Sequence, residues 1–139
     1  MADVTISQLT NTVPTSASIL PISKDGVTFS TTLAQLSSLP FIPKAWVSFN
    51  GSSATINSSY NVQSVVRNGT GIYTIYFSTP MRDNKYVVNV TANTNTGSGI
   101  SVYFAQSPTV ESVVIGAGYD NVRGAYYDCN PVYIVIYGN

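Results

Sequence analysis

Tyr60-Asn61-Val62-Gln63-Ser64-Val65-Val66-Arg67, then Asn68-Gly69-Thr70-Gly71, then Ile72-Tyr73-Thr74-Ile75-Tyr76-Phe77 is the stretch on which the fold turns. Two runs rich in β-branched and aromatic residues flank a short glycine-rich segment. Asn-Gly adopts positive φ readily, so this reads as a β-hairpin. Pro80 closes it, because proline has no N–H to give to a ladder. The same pattern continues on both sides. Upstream, residues 45–50 carry Trp46 and Phe49 ahead of a Gly51-Ser52-Ser53 turn. Downstream, strands are expected at residues 86–94, 100–105, 110–115 and 132–137, with a Gly/Ser/Asn-rich tip at 95–99. About eight short strands at this spacing, with no competing helical period, predict an all-β fold, an antiparallel β-sandwich or barrel.

Alternation within the strands says which faces are covered. In residues 86–91, Tyr86, Val88 and Val90 share one face while Val87, Asn89 and Thr91 share the other, the pattern of a half-solvated strand. The last strand differs, with Val132, Ile134 and Ile136 on one face and Tyr133, Val135 and Tyr137 on the other. A strand apolar on both faces needs cover on both, and a sandwich supplies only one. The second face is expected against a neighbouring subunit.

Composition divides the chain near Lys44. Residues 1–43 hold four of the seven prolines and none of the ten tyrosines, and residues 44–139 hold every tyrosine and Trp46. The expected organisation is an extended arm and linker over 1–43 and a packed β-domain over 44–139. Within the arm, Ser18-Ile19-Leu20-Pro21-Ile22 and Val27-Thr28-Phe29-Ser30 read as short strands about the Lys24-Asp25-Gly26 turn. A threonine then caps one or two helical turns bearing Leu33 and Leu36. Pro40 and Pro43 stiffen the linker. An arm this small buries little alone and is expected to order against its own copies or another protein.

Charge and inventory exclude several functions. Of the 139 residues only 9% are charged, six positive and six negative, with no histidine and one cysteine, Cys129. Nucleic acid needs clustered Lys or Arg, and there is no such cluster. No apolar run approaches the ~18 residues of a membrane span, so no membrane insertion is expected. The start, MADVTISQLTNT, lacks the basic and apolar regions of a signal peptide, which implies synthesis in a cytoplasm. Cys129 reads as a buried filler. Acid–base catalysis at neutral pH usually needs His or a tuned carboxylate pair, and the acids here are scattered. Asp120 and Asp128 share one segment, yet turn hydrogen bonding accounts for both better than a glycosidase pair. Calcium at Asp120, Asn121 and Asp128 lacks the dense spacing of such loops. No enzyme activity, metal or cofactor is expected.

The best binding candidate is Tyr119-Asp120-Asn121-Val122-Arg123-Gly124-Ala125-Tyr126-Tyr127-Asp128, read as a loop carried by strands. Tyr119, Tyr126 and Tyr127 offer stacking faces for sugar C–H surfaces, while Asp120, Asn121 and Arg123 offer directional hydrogen bonds. The competing reading makes Tyr126 and Tyr127 core or inter-subunit packing.

Two stretches resemble the tail-fibre and virion structural proteins of tailed bacteriophages. Residues 1–36, with Ile6-Ser7-Gln8-Leu9, Ser18-Ile19-Leu20-Pro21-Ile22, Gly26-Val27-Thr28 and Thr32-Leu33-Ala34-Gln35-Leu36, are similar to the N-terminal segment found there. Lys44-Ala45-Trp46-Val47-Ser48-Phe49-Asn50-Gly51, together with Tyr60-Asn61-Val62 and residues 68–77, resembles a β-domain of those proteins. The resemblance implies a virion component, usually a homotrimer, joined to other virion proteins through residues 1–43 and displaying its β-domain, with host surface glycan as one partner. The alternatives it leaves open are an adaptor or decoration protein with no receptor role, and a stand-alone lectin-like module. The long repetitive shaft of most such fibres is missing.

Overall fold

A Lys24-Asp25-Gly26-Val27 turn with positive φ at Asp25 (54°) and Gly26 (76°) folds the first hairpin back on itself in a computed structural model of the chain. The structure describes residues 15, 17–39, 41–93, 100–120 and 124–138. Two positive φ values in a two-residue turn match the right-handed twist of a hairpin. The turn joins β1 (Ile19–Lys24) to β2 (Val27–Thr32), which pair antiparallel from Ile19↔Thr32 to Lys24↔Val27. Cross-strand partners share a face, so Leu20, Ile22, Val27 and Phe29 lie on one face, and Ile19, Pro21, Thr28 and Ser30 on the other. The apolar face is exposed, with Val27 and Phe29 each at 54%. Helix α1 (Leu33–Ser37) follows at once, started by Thr32. The Gln35 N–H donates to Thr32 Oγ1 at 3.1 Å, and the Thr32 N–H donates back to Gln35 Oε1 at 2.8 Å, a reciprocal capping box. The short strands about the Lys24-Asp25-Gly26 turn and the threonine-capped helical turns expected within the arm are thus present over residues 19–37.

The chain divides by contact into two compact units, Met1–Leu39 and Pro40–Asn139, and the division falls a few residues ahead of the compositional break. The second unit holds β3 (Pro43–Phe49), β4 (Ile56–Tyr60), β5 (Val62–Gly69), β6 (Ile72–Phe77), β7 (Val87–Ala92), β8 (Ile100–Phe104), β9 (Ser112–Asp120), β10 (Ala125–Tyr126) and β11 (Val132–Tyr137). They form two antiparallel sheets. One runs β4-β3-β11-β7. In the other, β9 has β8 on one side and β6 then β10 on the other, with β5 outside β6. The two sheets do not pair with each other, so there is no closed barrel among the described residues.

One core lies between the inner faces. Val47 and Phe49 of β3 and Ile134 and Ile136 of β11 are buried in a single cluster with Tyr73 and Ile75 of β6 and Val113 and Ile115 of β9. Phe49 meets Tyr73 edge-on at 5.0 Å between ring centroids, and Phe77 meets Tyr86 at 5.7 Å. Each fully buried side chain of this kind contributes about 1.5–3 kcal/mol, so the interior of this unit needs no disulfide. Cys129 is buried among these residues as a free thiol, and burial followed by the nearby Asp128 charge pushes its pKa up. The outward face of β11 is partly exposed among the described residues, with Tyr133 at 48% on the same side of the sheet as Trp46 and Tyr60 and with Val135 and Tyr137 half-buried.

Three local expectations are corrected. Residues 60–67 are not one strand. The chain leaves the first sheet at Tyr60 and enters the second at Val62, turning at Asn61 with φ 53°. The Asn61 side chain fixes that corner, accepting from the Thr79 N–H at 2.7 Å and donating to the Lys44 and Thr79 carbonyls at 3.1 Å each. The β5–β6 hairpin forms as expected, but its positive φ falls at Gly71 (71°) while Asn68 donates to Thr74 Oγ1 at 2.6 Å. The strand expected at 110–115 instead runs from Ser112 to Asp120.

Candidate functional site

Part of the candidate binding segment is strand, its first residues in β9 and Ala125–Tyr126 in β10. Tyr119 lies one residue before the end of β9 and Tyr126 ends the return strand β10, and the two are register partners. Cross-strand partners face the same way, and their rings meet at 4.9 Å between centroids with a 59° tilt. A third tyrosine joins them from the far side of β9. Tyr103 of β8 pairs with Gly116, and its hydroxyl donates to the Tyr126 hydroxyl at 2.9 Å. That bond, then burial, raises the Tyr103 pKa.

Two glycines make this arrangement possible. A Cβ on Gly116 would lie 2.3 Å from Tyr103 Cζ and 2.5 Å from Cε1, so the ring rests on bare backbone. Such aromatic cover over a strand glycine shields the ladder beneath it. Gly118 is the extra residue of a bulge: Ala117 pairs with Val102 and Tyr119 with Ser101, while Gly118 has no partner on β8. Its φ of 142° is closed to most side chains, and a Cβ there would lie 2.0 Å from the Tyr127 carbonyl oxygen. Val113, Ile115 and Ala117 point into the core, and strict alternation would send Tyr119 after them. The bulge turns it to the outer face instead, beside Tyr126 and Tyr103.

The remaining expected residues fare differently. Tyr127 is half-buried and fastened by its backbone, its N–H donating to the Gly118 carbonyl at 2.9 Å. Asp120 belongs to β9 by its backbone, paired with both Ile100 and Ala125. Asn121 and Arg123 lie outside the described residues. Tyr103 and Gly116 were not singled out as site residues in the sequence, because only the pairing of β8 with β9 brings them together.

Asp128 faces other work. Its carboxylate accepts from Arg67 Nε at 3.0 and 3.1 Å and from Arg67 Nη2 at 2.7 Å. It also accepts from the Gly71 N–H at 2.9 Å and the Tyr73 hydroxyl at 3.1 Å. Burial alone would raise its pKa. The bonds from Arg67, Gly71 and Tyr73, with the guanidinium charge, outweigh burial and hold the carboxyl below its ordinary value. Tyr73 is pushed up in turn, by burial and then by this carboxylate. A carboxylate so fully engaged is a structural clamp with little capacity left for a metal or a proton transfer. No cluster of metal-ligating side chains occurs among the described residues.

An apolar cleft of about 150 Å³ opens between β7 and β8, lined by Val88, Val90, Val102, Tyr103, Phe104 and Ile115. It brings together no pair of groups suited to acid–base or nucleophilic chemistry. No family model matches the chain, and no curated protein or solved structure gives a significant match.

Proposed function

We propose that the chain is a non-enzymatic structural component of a tailed-bacteriophage virion, a short fibre- or spike-like protein. In this reading residues 1–43 join it to other virion proteins and the β-domain is displayed. The observation that carries the reading is the first hairpin: Leu20, Ile22, Val27 and Phe29 share one exposed face. An isolated two-stranded hairpin is marginal in water, so an element like this earns its stability against a partner. The sequence resemblance supplies the identity of that partner class. The partly exposed outward face of β11, on the same side of the sheet as Trp46 and Tyr60, supports a homotrimer.

The test is genetic complementation with a chain lacking residues 1–39. The truncated protein is expected to melt cooperatively and to be missing from assembled particles. Normal incorporation of the truncated chain would remove the assignment. A second reading, a stand-alone lectin-like module, is favoured by the tyrosine cluster alone, and it requires saccharide binding by a protein that never associates with particles.

A further inference from the structure

Register places Ser64, Thr74, Tyr76, Ser112 and Tyr103 on the outer face of the five-stranded sheet with Tyr119, Tyr126 and the aliphatic Val66, Ile72 and Val114, and the bond to Thr74 puts Asn68 there too. No ionised side chain shares that face among the described residues. Tyr126 remains 43% exposed and Tyr103 36% exposed, although both are held by contacts on the same face. A ring fixed by stacking and a hydroxyl fixed by a hydrogen bond lose little freedom when a ligand arrives, which favours binding.

The geometry points to Tyr103, Tyr119 and Tyr126 as a stacking site for a neutral saccharide, an inference that rests on the reading of a displayed β-domain. A pyranose alternates C–H surfaces with hydroxyls, and this cluster alternates ring faces with phenol oxygens. After the bond from Tyr103, the Tyr126 hydroxyl keeps its own proton to donate and Tyr103 keeps acceptor capacity. Among the described residues no cation shares this face to offset the desolvation of an anionic sugar. Gly116 sets the site's shape, since any larger residue there lifts Tyr103 off the sheet.

The experiment screens the full-length protein against an array of neutral and sialylated oligosaccharides, then titrates the hits by calorimetry. Binding is expected only to neutral glycans. Tyr126→Ala and Tyr103→Ala should each weaken it at least tenfold, and Tyr103→Phe, which keeps the ring and loses the bridging hydroxyl, should weaken it less. Tyr76→Ala, an exposed tyrosine elsewhere on the face, should leave affinity unchanged. An array without hits, hits restricted to sialylated glycans, or affinity untouched by Tyr126→Ala and Tyr103→Phe would each overturn the inference. Binding of a polyproline peptide in place of saccharides would overturn it too, because such helices also stack on tyrosine. Particle association is scored in parallel. Protein present in particles but blind to every glycan defeats this site alone, and glycan binding by protein absent from particles defeats the virion reading alone.

Discussion

Asp128 draws its bonds from Arg67, sixty-one positions earlier in the chain, and from Gly71 and Tyr73 of the β5–β6 hairpin. It ties that hairpin to the segment entering β11. Replacing it with Asn keeps the shape but removes the charge that Arg67 faces. Both partners are partly solvated, 35% and 17% exposed at the side chain, so screening tempers the loss. Asp128→Asn is expected to cost roughly 1–3 kcal/mol, seen as a melting temperature several degrees lower by calorimetry. The pH dependence has a definite sign. The folded pKa lies below the ordinary value of 3.8, so this contribution is full above that value and fades as pH falls through the lowered pKa. Wild type should therefore lose stability on acidification below about pH 4, more steeply than Asp128→Asn. Parallel acid profiles of the two proteins would contradict the clamp. None of this was legible in the sequence, because the partners of Asp128 lie 55 to 61 positions earlier in the chain.

Strands were readable where alternation was strict. Residues 72–77 and 132–137 appear as β6 and β11, because a two-residue period is a local property. What local pattern hides is the place where a strand changes sheet or face. Asn61 hides a sheet change inside an apolar run, and only its side-chain bonds to Thr79 and Lys44 reveal it. Gly118 hides a face change, since alternation alone points Tyr119 inward. The candidate site was accordingly half visible: Tyr119 and Tyr126 were named, while Tyr103 needed the pairing of β8 with β9. Gly118→Ala is expected to destabilise the second unit by on the order of 1–3 kcal/mol, the cost of holding an unfavourable backbone region. A melt unchanged within a degree would contradict the bulge. In the first unit, Phe29→Ser should leave the melting of the β-domain unaltered and reduce incorporation into particles. A mutant incorporated as well as wild type would free that face from the proposed role.

Among the described residues, the exposed apolar or aromatic surfaces include the hairpin face, the outward face of β11 and the tyrosine cluster. Contiguous exposed patches of this kind mark interaction sites more often than accidents. The first two are assigned to assembly and the third to recognition. Assembly predicts light scattering at three times the 14.8 kDa chain mass, and a monomer at micromolar concentration would remove the trimer. The central claim, that this is a structural part of a virion, is tested most directly by quantitative mass spectrometry of density-purified particles. The account predicts the chain at a fixed copy number divisible by three, retained after high-salt washing and labelled by immunogold at one location on the particle. A chain found only in the soluble lysate, or at variable trace amounts in washed particles, would contradict it.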